Sequence, residues 1–584
     1  MNRYAWAIVA VLCSAWLAQA VAQQTRPLND PRSEALRTRV DELRYAQEFS
    51  VRGERIILAD AVATIFEDRQ FAPVWASGAR LDHLIAALRD TELDGLNPAD
   101  YHYETLQALR TELRSATGLA AAEQADLELL ATDAMALALF HLHGGKVDPV
   151  KLSTQWNYPS RPPRTPDARE LLARALDSGR IVETFIEVRP EHVWYRRGRE
   201  QLREYRRIAA NGGWPELADG PTLKPGMTDP RVPVLRRRLE ITGDLGVARI
   251  MEPEFFDPPL ELAVKRFQTR HGVMPDGAVG AGTRAAMNVP VGARVDQLRV
   301  NLERGRWVLH EIKGEFVLVD VAGFDVAYFR DNEPIWTSKV VVGRPYRETP
   351  VFKSEITYVV LNPTWTIPPG ILAKDTLPAV KRDPGYLARH RIRVIDANGR
   401  EVPPSSVDWS RYSTSIPYQL RQDPGPDNSL GLVKIMFPNP YLVYLHDSPA
   451  KSLYDRDERA FSSGCIRVAR PFELTELVLN DPAQWNAAAI QSVIDSGKTR
   501  TVNLAKPIPV LILYWTAQPT PDGQIVFRND VYGRDAPTLA ALDSDFRLPP
   551  VEVEDIETGV AAVSPRSEQL RVSALSRVFR GQPW

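Results

Sequence analysis

The chain has 584 residues, of which 44% are hydrophobic and 25% are charged, and its formal net charge at pH 7 is -2. This length exceeds what one hydrophobic core usually supports, so it predicts about three or four domains. The near-neutral charge does not favour a nucleic-acid binder or a protein held at a membrane by a polybasic surface, so partners have to be inferred from individual sites.

Residues 1–22 have the pattern of a secretory signal peptide. The positively charged start Met1-Asn-Arg3 precedes an apolar stretch from Tyr4 to Leu17, and Ala20-Val-Ala22 has the small residues of a cleavage site. An uncleaved membrane anchor is the alternative. No later stretch has about 18 uninterrupted apolar residues, so no membrane span is expected after signal cleavage.

Residues 23–215 predict a helical scaffold domain. Apolar residues recur at spacings of three and four from Leu81 to Leu88 and from Asp126 to Leu142. Turn sequences such as Gly95-Leu-Asn-Pro98 separate these helical segments.

Residues 221–291 predict a small module of three short helices, around 234–239, 262–268 and 283–287. A turn-rich loop follows the second helix and contains Pro275-Asp276-Gly277. Together with Phe267-Gln268, Gly280 and Thr283, this loop resembles the peptidoglycan-binding module of cell-wall enzymes. A degenerate copy that only packs against its neighbours is the alternative.

Residues 313–515 follow a helical connector at 294–307 and predict a β-rich domain. Runs of β-branched and aromatic residues at 316–321, 324–329 and 336–342 indicate a meander of antiparallel strands. Further strands are predicted at 356–361, 432–437, 441–445 and 507–514. The segment from about 368 to 431 is long for a connection and predicts an inserted cap subdomain.

Residues 516–584 predict a terminal hairpin, around 522–527, and a disordered tail. The whole pattern therefore predicts an α+β multidomain protein. Its parts are a helical scaffold, a three-helix module and a β-rich domain with an inserted cap.

Cys465 is the only cysteine outside the predicted signal peptide, because the other cysteine, Cys13, lies within it. A lone cysteine in an exported protein forms no internal disulfide, so reactive thiol chemistry is favoured. The apolar run from Tyr441 ends in His446, and a polar loop returns the chain from there to the cysteine. Cys465 and His446 are therefore a candidate nucleophile and general base.

The residues around Cys465 complete a candidate site. The small residues Ser462-Ser463-Gly464 allow a tight approach, so the backbone N–H groups around Gly464 and Cys465, with that of Ser463, are candidates for an oxyanion hole. Arg467 faces the same side as Cys465 if the segment is extended, where it would bind an acidic group of a substrate. A structural ion pair is the alternative for Arg467.

His446-Asp447 and Ser462-Ser-Gly-Cys-Ile-Arg467 resemble the active-site signature of the L,D-transpeptidase catalytic domain family. Segments 340–350, 362–369 and 424–431 are similar to the long, capped, periplasmic members of that family. With the segment 95–102, the likeness extends from about residue 40 to 535.

The resemblance implies that Cys465 attacks the third residue of a tetrapeptide stem, releases D-alanine and holds the stem as a thioester. His446 would accept the thiol proton and later help to activate the incoming amine. Ser463 departs from the pattern, because many members have histidine there, and this leaves the role of a second imidazole in doubt. The candidate substrate-binding residues are Arg467, Ser462, Asp447, Trp365 and Tyr444.

The resemblance also implies a periplasmic location. The implied partners are peptidoglycan stem peptides and glycan strands, with other wall-synthesis enzymes as further candidates and no nucleic acid. No cofactor or metal is expected, because the chain lacks a His-Glu-x-x-His motif, a cysteine cluster and a phosphate-cradling glycine loop.

Four alternatives stay open. Transfer to water would make the protein an L,D-carboxypeptidase, and transfer to an outer-membrane lipoprotein would make it an anchoring enzyme, although a neighbouring stem is the favoured acceptor. A non-catalytic wall-binding protein would keep Cys465 as a relic. Ser448-Pro-Ala-Lys451 matches the Ser-x-x-Lys pattern of serine penicillin-binding proteins, but the chain has no Lys-Thr-Gly element.

Overall fold

The structure is a computed structural model that describes residues 30–46, 48–152, 156–158, 168–247, 251–520 and 522–546. The predicted signal peptide and the predicted tail beyond residue 546 lie outside these residues. The chain divides into two compact units. The first comprises residues 1–146, 161–190 and 543–584, and the second comprises residues 147–160 and 191–542.

The first unit is helical, as predicted, apart from the two-residue strands β1 (Ser50–Val51) and β2 (Glu54–Arg55). The helix Ala121–Gly144 lies at its centre and is buried along most of its length, because its residues are apolar on nearly every side. The helices are Pro31–Tyr45, Ala59–Asp68, Gly78–Asp90, Tyr103–Leu113, Ala121–Gly144, Ala168–Ser178 and Ile181–Glu187.

Three polar groups cross-link the interior of this unit. His102 contacts Asp133 through Nε2 at 2.9 Å and Glu54 through Nδ1 at 3.2 Å. Asp133 also accepts hydrogen bonds from the backbone N–H groups of Ile57 and Leu58. Glu128 accepts hydrogen bonds from three consecutive N–H groups in residues 74–76. Side chains of the central helix therefore hold the loops that would otherwise leave buried backbone groups unpaired.

The helices of the second unit include the three predicted for the small module, and these three pack around a core of their own. The module also contacts the C-terminal hairpin, where Arg270 donates to the carbonyl of Ile525 at 2.9 Å. Before the cap, the helices of this unit are Pro149–Leu152, Val193–Ala210, Val232–Ile241, Pro258–Arg270, Ala281–Met287 and Val291–Val308.

The strands of the second unit run from β3 to β18. They are β3 Trp156–Asn157, β4 Phe316–Asp320, β5 Asp325–Arg330, β6 Glu333–Gly343, β7 Val351–Leu361, β8 Trp365–Thr366, β9 Ile392–Ile395, β10 Glu401–Val402, β11 Gln419–Gln422, β12 Val433–Met436, β13 Leu445–His446, β14 Ala460–Ser462, β15 Ile466–Val468, β16 Arg500–Leu513, β17 Ala517–Pro519 and β18 Ile525–Phe527.

The main sheet closes on itself, because β12 pairs with both β13 and β7. The order around the ring is β12, β13, β15, β6, β5, β4, β16 and β7, while β3 adds to β7 and β14 adds to β6. The predicted antiparallel meander is present in β4, β5 and β6. The complete sheet is mixed, however, since β16 is parallel to β4 and β13 is parallel to β15.

The strand predicted at 441–445 is shorter than expected and begins only at Leu445. The side chain of Asn439 accepts hydrogen bonds from the N–H groups of Tyr441 and Val443 and donates to the Val443 carbonyl. Leu442 has a positive φ of 57°. These side-chain bonds compete with the sheet ladder and keep this segment as a loop.

The cap is a separate layer with its own hydrophobic core, formed around Leu377, Val394 and Leu420. Its four strands lie in the order β10, β9, β11 and β8. This sheet begins at Trp365, slightly before the predicted boundary at 368. The helical segments of the cap are Pro369–Ile371, a π-helical turn at Leu372–Thr376, Leu377–Arg382 and Tyr386–Arg389.

The C-terminal segment contains the predicted hairpin, formed by β17 and β18, and then a helix that was not predicted, Asp535–Asp543. Tyr532 lies between them, and its hydroxyl donates to the carbonyl of Gly343 at 2.6 Å and accepts from the N–H of Thr349 at 3.2 Å. The helices Pro471–Leu479 and Ala487–Asp495 cover the sheet. No helix among the described residues is long and apolar enough to cross a membrane.

Candidate active site

His446 ends one strand of the closed sheet, and Cys465 directly precedes the strand beside it. In the parallel pairing of β13 with β15, Leu445 is opposite Ile466 and His446 is opposite Arg467. Side chains alternate between the two faces of a sheet, so His446 and Arg467 share one face. Cys465 precedes β15 by one residue and is brought to the same face. The structure therefore places the predicted nucleophile and base on one face of neighbouring strands.

The thiol of Cys465 is partly exposed and free. Its Sγ donates to the carbonyl of Leu442 at 3.6 Å, and the Tyr444 hydroxyl also makes a hydrogen-bonding contact with it. Burial raises the pKa of the thiol, while the Tyr444 contacts and the charges of Lys434 and Arg467 act in the opposite direction. The resting group is therefore a thiol that needs a base.

The imidazole of His446 is neutral at physiological pH. Its side chain is buried, and burial together with the nearby Arg467 guanidinium lowers its pKa to about 3. Nδ1 is hydrogen-bonded to the carbonyl of Asp447. In a neutral imidazole this contact places the proton on Nδ1 and leaves the lone pair on Nε2, which is the form that can accept a proton from a thiol.

The turn from Ser462 to Cys465 is stabilised by hydrogen bonds within the turn itself. Ser462 Oγ donates to the Cys465 carbonyl at 2.6 Å and accepts from the Gly464 N–H at 3.1 Å. Gly464 has a φ of 113°, a region where only glycine is comfortable, and its carbonyl accepts from Thr349 Oγ1 at 2.8 Å. The Gly464 N–H is therefore occupied. Among the described residues, the N–H groups of Ser463 and Cys465 have no protein acceptor and are better placed to serve an oxyanion.

Asp447 turns its carboxylate away from the thiol. One carboxylate oxygen accepts from the N–H of Leu432 at 3.0 Å, and the other pairs with Lys451 Nζ at 2.5 Å. Asp447 is buried. This placement favours a role in fixing the end of the cap insert over the predicted substrate contact, and only the Asp447 carbonyl serves the site directly.

Two cations face the thiol without an ion-pair partner among the described residues. Arg467 is the predicted one, and its Nε is buried without a hydrogen bond, which argues against the alternative of a structural ion pair. Burial lowers the pKa of Arg467. The second cation is Lys434, which the sequence reasoning missed. The sequence did contain a signal for this residue, because a lysine between Val433 and Ile435 in a largely apolar strand is unusual.

Trp365 and Tyr444 connect the cap to the thiol. The Tyr444 hydroxyl contacts both Cys465 and the Trp365 indole, and Trp365 belongs to the first strand of the cap sheet. Arg347 makes a second connection that was not predicted. Its Nη1 donates to Asp375 of the cap at 2.6 Å and to Ser463 Oγ at 2.8 Å.

No group of three or more His, Cys, Asp or Glu side chains that could hold a metal occurs in the part of the chain that the structure describes. The groups that the described residues supply at the site are a thiol, a neutral imidazole, unoccupied amides and unpaired cations. Such a set suits acyl transfer through a thioester.

Three family models match parts of the chain. Residues 314–502 match the "L,D-transpeptidase catalytic domain", which is the part that contains the site described above. The chain carries an L,D-transpeptidase catalytic domain. Residues 228–287 match a "Putative peptidoglycan binding domain", and residues 60–202 match a "Scaffold domain". The domain boundaries predicted from the sequence remain predictions.

A protein of Haemophilus influenzae named "Putative L,D-transpeptidase" is 36% identical over 239 residues, which are 41% of this chain and 48% of that protein. The chain thus spans about half the length of this curated relative. A crystal structure of an L,D-transpeptidase (residues 123-326) from Xylanimonas cellulosilytica is 14% identical and covers 51% of this chain and 100% of that one, with a TM-score of 0.17. A likeness at that score adds no support to the fold.

In the L,D-transpeptidase domain of this chain, position 463 is a serine, whereas the family resemblance indicates a histidine there in many members. Its hydroxyl is held by Arg347, so a cation rather than an imidazole borders the thiol turn on that side. The side chains that act on the Cys465 thiol include the phenol of Tyr444 and the two unpaired cations.

Proposed function

We propose that the protein is a cysteine-dependent L,D-transpeptidase that cross-links peptidoglycan stems in the periplasm. The observation that carries this proposal is that the paired strands β13 and β15 place His446 and Cys465, which directly precedes β15, on one face of the L,D-transpeptidase domain. The peptidoglycan-binding match, the helical scaffold and the signal-like N-terminus support an exported enzyme that acts on an insoluble polymer.

The reaction begins with transfer of the Cys465 proton to Nε2 of His446. The resulting thiolate attacks the carbonyl carbon of the third stem residue, and the N–H groups of Ser463 and Cys465 stabilise the oxyanion. The imidazolium of His446 then donates its proton to the leaving nitrogen of D-alanine, which leaves a thioester. An amine of a neighbouring stem transfers a proton to His446 and attacks the thioester, and the thiol is regenerated.

Substrate contacts follow from the groups that remain without partners. Arg467 would bind a carboxylate of the donor stem, because its guanidinium lies beside the thiol without an ion-pair partner. Trp365 and Tyr444 would border the stem beneath the cap, and Ser462 would act by holding the thiol turn. The peptidoglycan-binding module would raise the local concentration of strands.

The test uses the purified protein and its Cys465→Ala variant with tetrapeptide-bearing wall fragments. Products and intact protein are analysed by mass spectrometry. We expect a stem adduct on the protein, release of D-alanine and dimers joined between third-position residues, with all three absent in the variant.

Other outcomes would redirect the proposal. D-alanine release without dimers would indicate an L,D-carboxypeptidase, and transfer only to a lipoprotein amine would indicate an anchoring enzyme. Folded protein that gives neither adduct nor D-alanine would leave a non-catalytic wall-binding protein.

A further inference from the structure

Lys434 lies on β12 at the position paired with His446 of β13. Its Nζ lies 4.1 Å from the centroid of the Tyr444 ring, a distance typical of a cation–π contact. The Tyr444 hydroxyl in turn contacts the Cys465 thiol. The ammonium, the phenol and the thiol therefore occupy one face of three adjacent strands.

This ammonium lacks a carboxylate partner among the described residues. Burial, the larger effect, lowers the pKa of Lys434, and the one ionisable group that raises it is Cys465. A half-buried cation without a counter-charge is costly. The site is therefore arranged for a negative charge that is absent while the thiol is protonated.

Among the residues that the structure describes, the neighbouring elements supply no competing anion. Asp447 of the β13 end is paired with Lys451, and Asp375 of the cap is paired with Arg347. On β7, the residue opposite Lys434 is Val360.

The titratable groups nearest the thiol on the other strands are Tyr444, His446 and Arg467. Tyr454 and Arg344 act electrostatically on Arg467, and Tyr358 of β7 lies opposite Met436, two residues along from Lys434. None of these groups is a carboxylate.

We propose that Lys434 is the counter-charge of the Cys465 thiolate. When the S–H bond breaks, the proton moves to Nε2 of His446 and the electron pair stays on Sγ, where the ammonium stabilises it until the carbonyl is attacked. The inference deepens the proposed function and rests on it for the identity of the reaction. The same charge disfavours the imidazolium of His446, so Lys434 acts on the thiolate and not as an aid to the base.

The test measures alkylation of Cys465 by iodoacetamide as a function of pH. The test protein and all its variants carry the added substitution Cys13→Ser, which leaves Cys465 as the only cysteine. We expect Lys434→Met to lower the alkylation rate at pH 7 by about threefold to tenfold and to move the pH profile to higher pH, because the thiolate loses its counter-charge. Lys434→Arg should restore most of the rate, because it restores the charge.

The matched control is Lys353→Met, which removes an exposed ammonium from β7 of the same sheet and should leave the profile unchanged. Circular dichroism and thermal unfolding establish that each variant is folded, and Lys434→Gln provides a polar substitute if the methionine variant unfolds. An unchanged profile in a folded Lys434 variant would overturn the inference. Because alkylation needs no peptidoglycan, this result is independent of whether the protein proves to be a transpeptidase.

Discussion

Two of the buried histidines among the described residues, His446 and His102, have opposite electrostatic surroundings. His446 faces the cations Arg467 and Lys434, and burial with these charges lowers its pKa to about 3. His102 lies between Asp133 and Glu54. Burial opposes its protonation, yet the hydrogen bonds and charges of the two carboxylates together raise its pKa.

The difference shows how position in the fold decides what an imidazole can do. His446 is kept neutral and has one nitrogen fixed by a backbone carbonyl, so it can take up and return a proton. His102 is held as a donor to two carboxylates, so it serves as a cross-link in the scaffold. A buried histidine is therefore a candidate base only when its neighbours leave a lone pair available.

The largest effect should come from replacing the base. We expect His446→Gln to lower the rate of thioester formation by about 10²- to 10⁴-fold while the domain stays folded, because the proton acceptor is lost. Stopped-flow measurement of D-alanine release, with thermal unfolding alongside, checks this result. His390→Gln, which changes an exposed imidazole of the cap, is the matched control. A folded His446 variant with normal release would remove His446 from the mechanism.

Replacing the scaffold histidine should affect stability and leave the chemistry intact. We expect His102→Asn to destabilise the first unit by about 3 kcal/mol, because Asp133 loses its charged partner in a buried position. Asparagine accepts the positive φ of 55° at this residue, so the loss of contacts is separated from backbone strain. Denaturant unfolding monitored by hydrogen exchange measures the effect.

The control for this variant is His83→Ala on the exposed face of the helix Gly78–Asp90, which should unfold like the parent protein. Alkylation of Cys465 should be the same in both variants. A His102 variant as stable as the parent would mean that the cluster contributes little to the stability of the scaffold.

The smallest effect distinguishes the two units by their response to pH. His102 and Glu128 bind protons more tightly when folded, since burial raises the pKa of Glu128 to about 7. Their contribution to stability is present below their usual pKa values and is lost as pH rises through the folded ones. The contribution of His446 to stability depends on pH in the opposite direction, because its pKa is lowered in the folded protein. That contribution is lost as pH falls from about 6.5 towards 3.

Hydrogen exchange, corrected for the intrinsic pH dependence of amide rates, can report both units in one sample. From pH 5.5 to pH 8.5 we expect protection of the central scaffold helix to fall and that of β13 and β15 not to fall. A parallel decline of both units would show that other groups dominate.

The sequence predicted the helices and the meander well, because these depend on local periodicity. It also singled out Cys465 and His446 by their distinctive chemistry, and the register of β13 and β15 places both on one face. It missed features that depend on which strands become neighbours. The pairing of β12 with both β13 and β7, which closes the sheet and brings Lys434 to the thiol, has no local pattern. The loop at Leu442 was read as strand, because the competing bonds of Asn439 cannot be seen in hydrophobic alternation.

The same limit applies to the oxyanion donors. The small side chains of Ser463 and Gly464 made the N–H groups of both residues reasonable candidates for oxyanion donors. The hydrogen bond to Ser462 Oγ, however, occupies the Gly464 N–H. Similarly, Arg347 and Ser463 are far apart in the sequence, so no local spacing pattern could predict that Arg347 connects the cap to Ser463.

Tyr532 supports the thiol turn from far along the chain, through the Gly343 carbonyl and Thr349, whose hydroxyl holds Gly464. The ribosome delivers Cys465 well before it delivers this tyrosine. A nascent or truncated chain that ends before Tyr532 therefore contains every reactive group but lacks the tyrosine hydrogen bonds that support the turn around Cys465. The order of synthesis thereby delays completion of the thiol site until Tyr532 has been added.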